Sequence, residues 1–323
     1  MQQLTTTGEV IRSISQDEIK LDQQIKRVLA CKPILAVIFS EVIEECKDMS
    51  YEEIISCIEG EVQIDQTFVN PTEIISGNSQ EDYLPGEYLV RYDIKTFLRL
   101  PNMTKPELAK IIIDLEAQKD DNPGYDIVVR GIFYACRMIS SQLGTEFTVN
   151  SKDSKKYQNI KKVYSIWICT EVSKKKANTI EKYTINKEML YGKECKDTRY
   201  DLITVIVINI GDNYNGEETD NPMLNSLNVL FNSDFTADIK IRRLKEYNVP
   251  VTKEVEKEVE IMTSYTANIV RKIEQSRNEG EIKGEAKVYK LLQLLLENNR
   301  ADEIQKIASD ETMRQKLYKE FNI

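Results

Sequence analysis

Asp93, Glu116 and Gln118 are the residues whose types and spacing could do chemistry. The run Ile111-Ile112-Ile113-Asp114-Leu115-Glu116-Ala117-Gln118 leads three apolar residues into a carboxylate and a carboxamide at alternate positions. That is the pattern of a buried strand whose end emerges into a polar site. Side chains alternate between the faces of a strand, so Asp114, Glu116 and Gln118 share one face while Leu115 and Ala117 take the other. The preceding arm, Tyr88 to Leu100, is β-prone, and Pro101-Asn102-Met103-Thr104-Lys105-Pro106 supplies a turn-rich connection. If the arms pair, Asp93 lies beside Glu116. Two carboxylates in a partly buried site repel unless a positive charge sits between them, and a hard divalent cation is the usual answer. Mg²⁺ keeps several waters and needs few protein ligands, here Asp93, Glu116 and the Ala117 carbonyl. A metal so held lowers the pKa of a bound water and stabilises charge on a phosphoryl oxygen, the logic of phosphodiester hydrolysis. Gln118 would orient the attacking water or the scissile phosphate, because an amide donates and accepts but is not a strong base.

The turn Asp120-Asp121-Asn122-Pro123-Gly124 leads into a helix expected from Tyr125 to Gln142. Its spacing assigns Val128, Ile132, Ala135 and Ile139 to the sheet and Arg130, Tyr134 and Arg137 to a different face. Two guanidiniums around a phenol suit a phosphate backbone. On spacing alone each feature has a plainer reading. An isolated Asp, Glu and Gln are more often a solvated face, and an Arg-Tyr-Arg face is more often surface ion pairing and cation–π packing.

A longer series of motifs changes that balance. Asp93, Asp114-Leu115-Glu116-Ala117-Gln118, Pro123-Gly124-Tyr125, Arg130-Gly131-Ile132-Phe133-Tyr134, Arg137-Met138-Ile139-Ser140, Gly144-Thr145-Glu146-Phe147 and the run from Ile160 to Cys169 occur in order. Together they resemble the PD-(D/E)XK nuclease family transposases, akin to the Rpn recombination-promoting nucleases, from the first helices to about Asn232. The resemblance implies an α/β, restriction-endonuclease-like mixed sheet flanked by helices, and DNA cleavage dependent on Mg²⁺, with Mn²⁺ as a substitute. The family's metal-binding Asp falls on Asp93 and its Glu on Glu116. Gln118 stands at the family's lysine position, as in the Glu-x-Gln variant, so Lys119 or a lysine from elsewhere must supply the cation if one is needed. An acidic residue on the first core helix approaches the metal in many such nucleases, and Glu45 is the candidate here.

Composition narrows the alternatives. The chain has no histidine, which excludes Ser-His and Cys-His catalysis, His-ligated zinc and a histidine base. Its six cysteines are dispersed without a Cys-x-x-Cys pair and read as buried reduced thiols. A net charge of −9 argues against avid nonspecific DNA binding by the whole protein. Lys152, Lys155, Lys156, Lys161, Lys162, Lys174, Lys175 and Lys176 are nevertheless clustered, and either a solvated loop or a local phosphate track accounts for them. With 41% hydrophobic and 30% charged residues, no bilayer-length apolar run and no secretory leader, a cytoplasmic protein without membrane contact is expected.

In chain order, residues 1–14 read as a flexible tail, and Ser15-Gln16-Asp17-Glu18 as a capping box opening the first helix. Pro33 starts a second helix and Ser50 a third; residues 61–86 are rich in turn formers. Strands are expected at 162–170, 178–186 and 202–210, and a helix at 222–231 closes a nuclease-like domain of residues 15–234. Residues 235–323 read as a helical C-terminal appendage. Val255, Val259, Met262, Thr266, Ile269 and Ile273 form a coiled-coil-like seam, followed by Val288, Leu291, Leu292, Leu295, Leu296, Ile304, Ile307 and Leu317. This appendage either folds back or makes a homodimer, which would supply two sites for a paired cut. The rival functional reading is a weak or inactive nuclease scaffold acting as a DNA-binding or assembly module.

Overall fold

Runs of β-branched residues build the centre of a mixed α/β structure. The computed structural model describes residues 6–64, 92–101, 110–120, 124–142, 156–193, 199–211, 218–298, 300 and 311–323. Its described helices are α1 (Thr6–Ala30), α2 (Lys32–Val42), α3 (Tyr51–Cys57), α4 (Ile127–Ser140), α5 (Pro222–Phe231), α6 (Ala237–Glu246), α7 (Lys253–Glu297) and α8 (Glu311–Glu320). The strands are β1 (Gln63–Ile64), β2 (Ile94–Arg99), β3 (Lys110–Asp120), β4 (Lys162–Glu171), β5 (Thr179–Thr184) and β6 (Ile203–Asn209). They form one six-stranded sheet in the order β1-β2-β3-β4-β6-β5. The three central strands β3, β4 and β6 are parallel, and the strands outside them pair antiparallel.

Alternation along the strands sorts side chains into two cores. Ile94, Leu98, Ile113, Leu115, Ile166, Ile168, Ile206 and Ile208 face a large core completed by α1, α2, α3 and α5. Ile112, Val163, Trp167, Cys169, Val205 and Val207 face the other way, onto α4. Helix starts follow capping chemistry. Ser50 and Glu53 form a reciprocal capping box at α3, Asp126 accepts the Val128 N–H at α4 (2.9 Å), and Asn221 accepts the Leu224 N–H at α5 (2.9 Å).

Three expectations are corrected, the second of them in part. The helix does not begin at a Ser15 cap; α1 runs back to Thr6 through the stretch read as a tail. Of the expected sheet-facing residues of α4, Ala135 is buried and Val128 and Ile139 pack at the margin of the core, but Ile132 is exposed and the buried line runs through Ile127, Gly131, Tyr134, Ala135 and Met138. The contact line is rotated by about a quarter turn, at 3.6 residues per turn, because it passes through Gly131. A Cβ there would come within 2.6 Å of Val205 Cγ1 and 2.8 Å of Trp167 Nε1, so glycine is what lets α4 approach the sheet. The compact unit containing the sheet is Leu21–Ser264, extending past residue 234, and a second unit comprises Met1–Lys20 and Tyr265–Ile323. As expected for most of the cysteines, Cys31, Cys46, Cys57 and Cys169 are buried thiols outside any disulfide; Cys136 is exposed, and Cys195 lies outside the described residues.

Val255, Val259 and Met262 of the expected seam are buried in the sheet's own core. Burying each side chain stabilises by about 1.5–3 kcal/mol, and within one chain no partner's freedom is lost to obtain it. In the second unit, Leu291, Leu295 and Leu317 form a small cluster and Lys272 pairs with Asp17 at 2.6 Å. Ile304 and Ile307 lie outside the described residues. No helix among the described residues is long and apolar enough to cross a membrane.

Candidate functional site

The antiparallel register of β2 and β3 pairs Ile94 with Leu115 and so puts Asp93, just ahead of β2, alongside Glu116. The two residues clasp each other through the backbone. The Asp93 N–H donates to Glu116 Oε1 (2.9 Å), and the Ala117 N–H donates to Asp93 Oδ2 (3.2 Å). Glu116 is buried, at 5% exposure. Both carboxylates therefore sit in the C-terminal half of β3, just beyond the last β2–β3 pair, where backbone of β3 is left to be satisfied by side chains.

Each face of the sheet brings a cation to this end. Lys26, near the C-terminal end of α1, places Nζ 2.6 Å from Asp93 Oδ1 and 3.2 Å from Asp22 Oδ2. Burial draws the Lys26 ammonium down, but Asp93 and Asp22 outweigh it and raise its pKa above the ordinary lysine value. Burial likewise pushes the Asp93 carboxyl up, against the pull of Lys26 and the Ala117 N–H. The close contact is an ion pair in which the lysine's charge is the better supported. On the opposite face, in-register pairing sets Trp167 beside Glu116. Arg130 lies over Trp167 (5.3 Å to the ring), Tyr134 (5.0 Å) and Tyr125 (5.1 Å), and donates to the Tyr134 hydroxyl (2.6 Å) and the Tyr125 hydroxyl. Burial is offset there by Tyr134, Tyr125 and the nearby Glu116 charge, which raise the pKa of the guanidinium. Trp167 is fixed in turn by its Nε1–H donating to buried Ser165 Oγ (2.9 Å).

Other expected site residues are distributed differently. Tyr134 and Arg137 are buried on the sheet side of α4, so Arg130, Tyr134 and Arg137 do not present one phosphate-facing surface. Glu45 does not join Asp93 and Glu116. It accepts from Lys162 Nζ (2.9 Å) and the Tyr164 hydroxyl (2.6 Å) at the start of β4. Lys162 pairs with Ile111 and Trp167 with Glu116, so five residues of strand, about 16 Å at 3.3 Å per residue, separate that cluster from the carboxylates. Lys161 is buried, and its backbone is held by Gln142, whose side chain accepts the Lys161 N–H (2.7 Å) and donates to its carbonyl (3.1 Å). Neither Lys161 nor Lys162 forms an exposed phosphate track at the carboxylate end. Lys174, Lys175 and Lys176 are exposed in the turn beyond the C-terminal end of β4, on from Trp167, the partner of Glu116. Lys152 and Lys155, and the side chains of Gln118, Lys119 and Lys156, lie outside the described residues, although β3 runs through 118 and 119.

Sequence reasoning missed Lys26. Its signal was present: one residue after Ile25 and three before Leu29, it falls on the apolar side of an amphipathic helix, where an unpaired ammonium is costly.

Among the described residues no group of three or more Cys, Asp or Glu could hold a metal ion. The donors present are two carboxylates and, on the edge where the Ala117 N–H reaches Asp93, the Ala117 carbonyl. An all-oxygen set of this kind suits a hard cation that retains waters. In comparisons with family models, curated proteins and solved structures, the chain matches none.

Proposed function

We propose that the chain is a divalent-metal-dependent endonuclease on a restriction-endonuclease-like core, hydrolysing DNA phosphodiester bonds in recombination- or transposition-type processing. The observation that carries this reading is the reciprocal clasp of Asp93 and Glu116 at the edge where β2 gives out beside β3. Asp93, Glu116 and the Ala117 carbonyl would hold Mg²⁺ or Mn²⁺, which when bound supplies an activated water and charge neutralisation at the phosphate. Glu116 and Asp93 aim their oxygens through backbone N–H bonds that require no rearrangement, which is the preorganisation such chemistry needs. Gln118, two residues along β3, is assigned the orienting of water or phosphate. Arg130, stacked beside Glu116, offsets charge developing at the phosphate. Lys174 and Lys175, exposed in the turn beyond β4, give the DNA backbone a salt-sensitive contact on a chain of net charge −9.

The Lys26–Asp93 contact favours a second reading, in which the lysine replaces the metal permanently and the protein binds DNA without cutting it. A supercoiled-plasmid assay at low salt, with Mg²⁺, Mn²⁺, Ca²⁺ or chelator, separates the two. Nicking or linearisation in Mg²⁺ or Mn²⁺ that disappears in Glu116→Ala is the expected result. DNA binding without cleavage under any ion transfers the assignment to the second reading.

A further inference from the structure

Lys26 has two acidic partners of unlike character. The Asp93 side chain is 17% exposed and belongs to the candidate site, whereas Asp22 is 55% exposed and sits four residues earlier on α1. An ammonium at 2.6 Å from Asp93 Oδ1 occupies one of the directions from which a hard cation would approach that oxygen. Two like charges a few ångströms apart in a partly buried site repel well above thermal energy, so both cannot hold Asp93 Oδ1 together. The lysine stem is flexible and its ammonium has three donors, and Asp22 offers it a second seat on the same helix face without unwinding α1.

We propose that Lys26 is a displaceable counter-ion of the candidate metal site: it holds Asp93 in the metal-free protein and withdraws to Asp22 when a divalent cation takes its place. The inference rests on the reading of Asp93 and Glu116 as metal ligands. It makes Lys26 a positioning residue that keeps the two carboxylates together while the site is empty and sets the metal affinity by competition. Asp22 contributes without touching the metal.

Calorimetric titration of the full chain with Mn²⁺ at low salt tests this in the wild type, Lys26→Met, Asp22→Asn, the double variant and Glu116→Ala. Loss of the competing ammonium should tighten Mn²⁺ binding about fivefold or more in Lys26→Met, a coupling of ordinary size. Loss of the second seat should weaken binding a few-fold in Asp22→Asn, and that effect should vanish in the Lys26→Met background. An Asp22 effect that persists without Lys26 would be simple long-range attraction and would overturn the proposal. So would a folded Lys26→Met variant with unchanged or weaker affinity. If Lys26→Met does not fold, Lys26→Gln takes its place in the cycle, and wild-type affinity in Asp22→Asn, whose side chain is exposed, overturns the idea in either case. Mn²⁺ binding that is lost in Glu116→Ala but indifferent to Lys26 would leave the metal reading intact and remove this inference only. No binding in the wild type or in Lys26→Met would remove both.

Discussion

Lys26 and Lys240 are both buried, at 7% and 1% exposure, yet the protein treats them in opposite ways. Lys26 faces two carboxylates and its pKa is raised; Lys240, on α6, has no hydrogen bond or ion pair from its ammonium among the described residues, and burial alone pushes its pKa down to about 8. Among the described residues nothing offsets the cost of the buried amine at Lys240, whereas at Lys26 the cost is met by Asp93 and Asp22. Of the two, Lys26 is the one to which the chain has brought carboxylates among the described residues. Lys162 lies between these extremes, partly exposed and paired with Glu45 and Asp201.

Substitution should separate the three lysines. The largest effect is expected from Lys26→Met, which leaves the part-buried Asp93 without its ammonium. Urea unfolding at pH 7 should show a loss of about 4 kcal/mol, as for other broken buried pairs, and an unchanged midpoint would dissolve the contrast. Lys240→Met should act in the opposite direction. A lysine whose folded pKa of about 8 lies below the ordinary 10.5 stabilises the fold above pH 10.5, and that contribution is lost as the pH falls through 8. Removing the amine should thus raise stability at pH 7 by about 2–3 kcal/mol, with the gain fading towards pH 10.5. A pH-independent gain would mean that packing, not charge, is responsible. Lys26 carries the reverse sign. Its raised pKa contributes stability present below the ordinary lysine value and lost as the pH climbs through the higher folded value.

Gly131→Ala tests the arrangement opposite Lys26 without altering any charge. Its methyl group must displace Val205 or Trp167, at a cost of about 2 kcal/mol and with a shift in the tryptophan emission beneath Arg130. Glu45→Gln should be the mildest. It keeps an acceptor for Lys162 and Tyr164 and should cost about 1 kcal/mol in urea unfolding while leaving Mn²⁺ binding unchanged. Loss of Mn²⁺ binding would return Glu45 to the metal site.

The amino-acid sequence by itself determined the long strands, the start of α3 at Ser50 and the meeting of Asp93 with Glu116. These depend on side-chain period, turn formers and short-range pairing, which neighbouring residues encode. It also placed Arg130 on the helix that covers the sheet, though in company with Tyr134 and Arg137 on a face the structure does not form. Which face of α4 meets that sheet was decided by the close approach at Gly131, a contact with β4 and β6 that helical periodicity alone does not contain. Tertiary structure likewise decided that Val255, Val259 and Met262 enter the chain's own core and that Glu45 goes to Lys162. An apolar stripe or a carboxylate has the same local pattern whichever partner it finds. Lys26 is the clearest case, since its charge is satisfied by Asp93 from a distant segment, and only the packing of α1 against the end of the sheet makes the two neighbours.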